Sequence, residues 1–158
     1  MKEHTTSIPR GFNPLLIPGK DGFINLTGPL YLSHEGDTVL MGFLAEKRHV
    51  NLQGVCHGGM MATFCDMLLP MSVKHLHSEM RNRFVTTVSL QIDYIAAAPL
   101  GAWVQGEIEI LRMTHSMVFA RALVTADGVL VARVSGISKL GKEIPVELRP
   151  QTLPAQHP

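Results

Sequence analysis

The stretch "NLQGVCHGGMMATFCDMLLPMSV", Asn51 to Val73, decides how this chain is read, because a His-Gly-Gly opens a run that carries a single charge, Asp66. Met60, Met61, Phe64, Cys65, Met67, Leu68, Leu69 and Met71 fall on every side of a helical wheel, so the spacing predicts a buried helix over roughly Gly58 to Leu76. Two glycines weaken the start of such a helix. Lacking Cβ atoms, they also let the free N–H groups of the first turn approach a ligand closely, and the helix dipole makes those donors a ready oxyanion site. A lone carboxylate amid apolar neighbours is costly to desolvate unless something uses or satisfies it, which singles out Asp66. Pro70 removes an N–H inside the helix and is expected to kink its second half.

The flanking sequence alternates. In "TTVSLQIDYIAAA", Val88, Leu90, Ile92 and Tyr94 share one face and Thr87, Ser89, Gln91 and Asp93 the other. "AWVQGEIEILRM" repeats the pattern, and "SMVFARALVTADGVLVARVSGISKL" holds a hairpin turn at Asp127-Gly128. Upstream, "PLYLSHEGDTVLMGFLAE" reads as two runs joined around Glu35-Gly36-Asp37. The expected architecture is therefore α+β: an antiparallel sheet of five or six strands whose apolar face is covered by one long helix inserted after the second strand. An irregular Pro- and Gly-rich arm with one short helix is expected over 1–27, the folded domain over 28–142, and a flexible Pro-rich tail over 143–158.

Composition narrows the function. The chain has 158 residues, 46% of them hydrophobic, which suits one domain with a sizeable core. Fourteen Lys+Arg against 13 Asp+Glu leave no basic stripe for nucleic acid. Cys56 and Cys65 are nine positions apart beside one helix, too far for a bridge, and read as reduced thiols of a cytoplasmic protein. No apolar run is long enough to span a membrane, and no spacing of His49, His75, His77 and Asp66 matches a metal site, so neither metal nor cofactor is expected.

The pattern N-x-x-G-x-x-H-G-G with an Asp seven residues after the second Gly is carried by Asn51, Gly54, His57, Gly58, Gly59 and Asp66. Together with the order of elements over about residues 28 to 140, it resembles the acyl-CoA thioesterases of the hotdog fold, in particular the PaaI-like branch. The resemblance implies a curved sheet wrapped around the helix, two subunits joined into a dimer and often a dimer of dimers. It also implies an active site at the subunit interface. On that likeness Gly58 donates its N–H to the thioester oxygen, Asp66 of the opposite subunit is general base or nucleophile, Asn51 orients water or thioester, and His57 and Gly59 shape the loop. Thr87, with Thr86 as the alternative, stands where relatives hold a water-positioning serine.

Helix geometry agrees with a shared site. His57 and Asp66 lie nine residues apart, roughly 13 Å along a helix, so one helix cannot bring both to one carbon. Helices paired antiparallel about a two-fold can. The chemistry asks for no serine triad, because a thioester carbonyl is weakly resonance-stabilised and thiolate leaves readily. A Cys56-His57 nucleophile is disfavoured, since adjacent side chains rarely face each other. Arg48, Arg81 or Arg83 offer forks for the phosphates of coenzyme A. The rival readings are a non-catalytic acyl-CoA binding module, which has no need of Asp66, and a hotdog hydratase acting on enoyl or hydroxyacyl thioesters, whose H-F-P-G loop is missing.

Overall fold

A computed structural model describes residues 7–152. In chain order the regular elements are β1 (Asn13–Leu16), α1 (Phe23–Thr27), β2 (Tyr31–Glu35), β3 (Thr38–Leu44), α2 (Gly58–Leu76), β4 (Arg83–Tyr94), β5 (Trp103–Met113), β6 (Met117–Ala126), β7 (Val129–Glu143) and β8 (Gln151–Thr152). The strands form one antiparallel sheet in the order β4-β7-β6-β5-β3-β2-β1-β8. Helix α2 packs against β3, β4, β5 and β7, strands well apart in that order, so the sheet curls around it. This is the hotdog arrangement.

Both expected hairpins are present. Asp127 and Gly128 take φ of 46° and 80°, the left-handed pair that a tight two-residue turn between twisted strands requires, and Gly36 takes 59° between β2 and β3. The sheet exceeds the expected five or six strands because segments read as arm and tail also pair: β1 with β2, and β8 with β1. At four and two residues, one of them containing Pro14, these strands are too short to show an alternation. Residues 1–6 and 153–158, the ends of the expected arm and tail, lie outside the described residues.

The main core gathers Met41, Phe43, Phe64, Cys65, Leu68 and Val104 between α2 and the sheet, and a second cluster joins Leu69, Val73, Ile108, Val118 and Leu140. Two sheet glycines set how closely the helix docks. A Cβ at Gly106 would come within 2.6 Å of Leu68 and one at Gly136 within 2.5 Å of Leu69, so both strands present bare backbone to the helix. Among the described residues no helix is long and apolar enough to cross a membrane.

Candidate active site

The start of α2 is built by its cap. His57 is the N-cap residue in extended conformation, and its Nδ1 accepts the Gly59 N–H at 2.9 Å. Its own N–H donates to the His49 carbonyl at 2.8 Å, tying the helix start to the turn over Lys47–His49, of which His49 is buried. A Cβ on Gly59 would sit 3.0 Å from His57 Nδ1, so the cap itself favours glycine there. Gly58 differs: an added Cβ would meet nothing closer than the Tyr94 ring at 3.7 Å. Exposed, and with no acceptor for its N–H among the described residues, Gly58 offers a free donor whose lack of a side chain the single chain does not require.

Asp66 corrects the sequence reading. Rather than buried among apolar side chains it is exposed, because the helix face running through Gly59, Thr63 and Asp66 lies at the open edge of the sheet beside β4. Its Oδ1 accepts the Thr87 hydroxyl at 2.7 Å. Thr63, the nearer candidate by sequence, instead donates to the Gly59 carbonyl at 2.9 Å. The expected face assignment of β4 also changes. Thr87 pairs with Ser138 and Ser89 with Ile137, leaving Val88 as an extra residue in a bulge that reverses the alternation. Thr87 therefore shares the helix-facing side with Leu90, Ile92 and Tyr94, and Thr86 is left exposed.

Asn51 is committed to its own loop. Its Oδ1 accepts the Gln53 N–H at 2.9 Å and its carbonyl accepts the Gly54 N–H at 3.0 Å, with Gly54 at φ of 72°. The sequence pattern N-x-x-G here closes a turn, with the Asn51 Oδ1 held by backbone N–H groups. Burial pushes the Cys56 thiol up to about 11 and Cys65 to about 12, so neither is a thiolate nucleophile at neutral pH. Arg48 pairs with Glu46 at 2.9 Å, Arg83 donates to the Gly141 carbonyl at 2.8 Å, and Arg81 is exposed. The histidines serve separate ends: His49 is buried with Nε2 on the Thr27 carbonyl, His75 bonds the Met71 carbonyl, and His77 faces Glu79.

Tyr94 is a site residue that the sequence reading assigned only to a strand face. Its hydroxyl donates to the Gly58 carbonyl at 2.9 Å. The only signal available was a tyrosine at a strand end, a residue whose polar tip seeks a partner. A groove of 960 Å³ lies elsewhere, across the sheet face turned away from α2, lined by Gln91, Asp93, Glu109, Arg121 and Arg133. It contains none of Gly58, Asp66 or Thr87. The single chain thus carries a free backbone donor and an open carboxylate on one helix, both exposed.

Comparison with known proteins agrees with this architecture. A family model for the thioesterase superfamily matches residues 53–132, a segment that includes Gly58, Asp66 and Thr87. The Pseudomonas aeruginosa protein named "Putative esterase PA0474" is 27% identical over 135 residues, covering 85% of this chain and 98% of that protein. The zebrafish thioesterase superfamily member 2 structure superposes with a TM-score of 0.65 at 26% identity, covering 77% of this chain and 88% of the other. A hypothetical thioesterase protein from Streptococcus pneumoniae, solved with coenzyme A, shares the fold at a TM-score of 0.64 and 18% identity, covering 73% and 88%.

Proposed function

The chain belongs to the thioesterase superfamily, and on that premise we propose that it hydrolyses an acyl-CoA thioester to the free acid and coenzyme A at a site shared by two subunits. One observation carries the reading: Gly58 with its free N–H and the exposed Asp66 stand eight residues apart on one helix, roughly 12 Å along its axis. Among the described residues the Gly58 N–H has no acceptor, and the Asp66 carboxylate meets the Thr87 hydroxyl. Antiparallel pairing of two α2 helices sets the donor of one opposite the carboxylate of the other.

The free edge of the sheet supports the same pairing. Strand β4 has twelve residues, pairs among the described residues with β7 alone, and leaves Phe84, Val88 and Tyr94 exposed. An edge this long and apolar is normally covered, and a second β4 about the two-fold covers it next to the Asp66–Thr87 pair. Coenzyme A in the structure of the Streptococcus pneumoniae relative points to an acyl-CoA as the thioester.

In the reaction, Asp66 takes a proton from water as its oxygen attacks the thioester carbon, and Thr87 holds the carboxylate in place. The partner's Gly58 N–H stabilises the oxyanion, and collapse of the tetrahedral intermediate breaks the C–S bond and releases the thiol with the proton returned to sulfur. Direct attack by Asp66 on the carbon serves the same end through an anhydride that water then opens.

The test is thiol release from acetyl-, hexanoyl-, palmitoyl-, phenylacetyl- and hydroxybenzoyl-CoA by the wild type and by Asp66→Asn. A loss of at least about a hundredfold in kcat is expected, with the melting temperature held because the carboxylate is exposed. Acyl-CoA that raises the wild-type melting temperature without any thiol release would replace hydrolysis with binding alone.

A further inference from the structure

The Gly58–Gly59 peptide is held at both ends. Its N–H, on Gly59, donates to His57 Nδ1 at 2.9 Å, and its C=O, on Gly58, accepts the Tyr94 hydroxyl at 2.9 Å. The peptide before it carries the Gly58 N–H, which has no acceptor among the described residues. Glycine on either side of that junction would otherwise give the first turn of α2 more freedom than any other residue pair.

We infer that Tyr94 is a positioning residue, which fixes the Gly58–Gly59 peptide so that the Gly58 N–H keeps one direction toward the reacting oxygen. The inference rests on the acyl-CoA hydrolase reading and extends it to a residue outside the His-Gly-Gly stretch. Three observations support it. Tyr94 is 57% exposed in the single chain, so packing in that chain's core is not what places it there. It stands 3.7 Å from where a Gly58 Cβ would be, lying over the glycine it bonds. The phenol is a protonated donor at neutral pH, and burial raises its pKa further above the ordinary 10.

The backbone of β4 is arranged for this contact. Thr87 and Tyr94 are seven residues apart, and in a regular strand an odd separation sends two side chains to opposite faces. The extra residue at Val88 puts both on the helix side. One strand thereby holds the two ends of the chemistry on α2, Thr87 at the Asp66 carboxylate and Tyr94 at the peptide behind the Gly58 donor. An oxyanion donor acts only if it is already aimed when charge develops, so an anchor on the glycine pair acts in the transition state more than on substrate binding.

The experiment compares full-length wild type, Tyr94→Phe, His57→Ala and the double variant in steady-state thiol release from the acyl-CoA that the wild type turns over fastest. Tyr94→Phe keeps the ring and removes only the hydroxyl. It is expected to lower kcat about tenfold with KM within about twofold, and the double variant is expected to fall no further than the worse single, since both anchors fix one peptide. Unchanged kcat, with or without a lower melting temperature, overturns the inference, as does a raised KM at constant kcat or a double variant whose losses multiply. A wild type that releases no thiol from any substrate overturns the hydrolase reading and this inference with it, and that outcome is distinct because it is seen before any variant is made.

Discussion

The two halves of α2 are made of similar residues and have different surroundings. From Leu68 to Lys74 every residue is buried, including Pro70, Ser72 and a lysine. Between Gly58 and Met67 the positions facing the sheet are equally buried, whereas Gly58, Gly59 and Asp66 are open and Ala62, Thr63 and Met67 half open. The helix is thus a structural rod in its second half. In its first half it is a rod with one stripe withheld from the core, and the stripe carries the free donor and the carboxylate. Substitutions in the buried half are expected to change stability and leave the chemistry of each folded molecule intact, and those on the stripe to do the reverse.

Leu69→Ala tests the first side of that contrast and carries the largest expected effect. Leu69 is 4% exposed, and its Cδ1 lies against the bare backbone at Gly136. Truncation leaves a cavity that the sheet cannot fill, at a cost of about 2–5 kcal/mol. Chemical unfolding read by far-UV circular dichroism measures it, and a loss under about 1 kcal/mol would mean that the second half is less tightly packed than its burial implies.

Gly58→Ala tests the other side. The chain has room for the methyl group, and alanine is the better helix former by up to about 1 kcal/mol, so the melting temperature is expected to hold or rise. Thiol release is expected to fall by about a hundredfold, as when an oxyanion donor is blocked. A stabilised variant with full activity would break the link between the open stripe and catalysis.

Most of the fold was legible in the sequence, and the limits were physical. Five or six strands show through period-two alternation and turn residues, and a helix over roughly Gly58 to Leu76 shows through the apolar run after the glycine pair, which matches the observed bounds. Met and Leu on all sides of α2 state that the helix avoids water. They do not state which side this chain leaves for something else to cover, so Asp66 was read as buried. The glycine donor and the Asp were visible as residue types at a spacing. Of their supports, Thr87 is legible only through the family resemblance and Tyr94 not at all: the two reach α2 together because of the bulge at Val88, which adds one residue with no glycine or other local mark. Asn51 is ambiguous for the opposite reason, since a residue that closes a turn and one that orients substrate have the same side chain, and the turn bonds occupy its Oδ1 alone.

Lys74 gives the smallest effect and sharpens the contrast from the buried half. It is 7% exposed, and burial alone lowers its pKa below the ordinary 10.5. With the folded value below the unfolded one, the unfolded chain binds the proton more readily, and stability rises with pH between the two values. Below that window the buried ammonium is a fixed cost to the folded state, and above 10.5 the cost is gone. Lys74→Met keeps the apolar stem and removes the charge, so the variant is expected to be more stable than the wild type at neutral pH, with the gap narrowing as pH approaches 10.5. Urea unfolding of both proteins at neutral pH and again at mildly alkaline pH measures the gap. If it stays constant, the ammonium is solvated after all, and the second half of α2 has an opening of its own at Lys74.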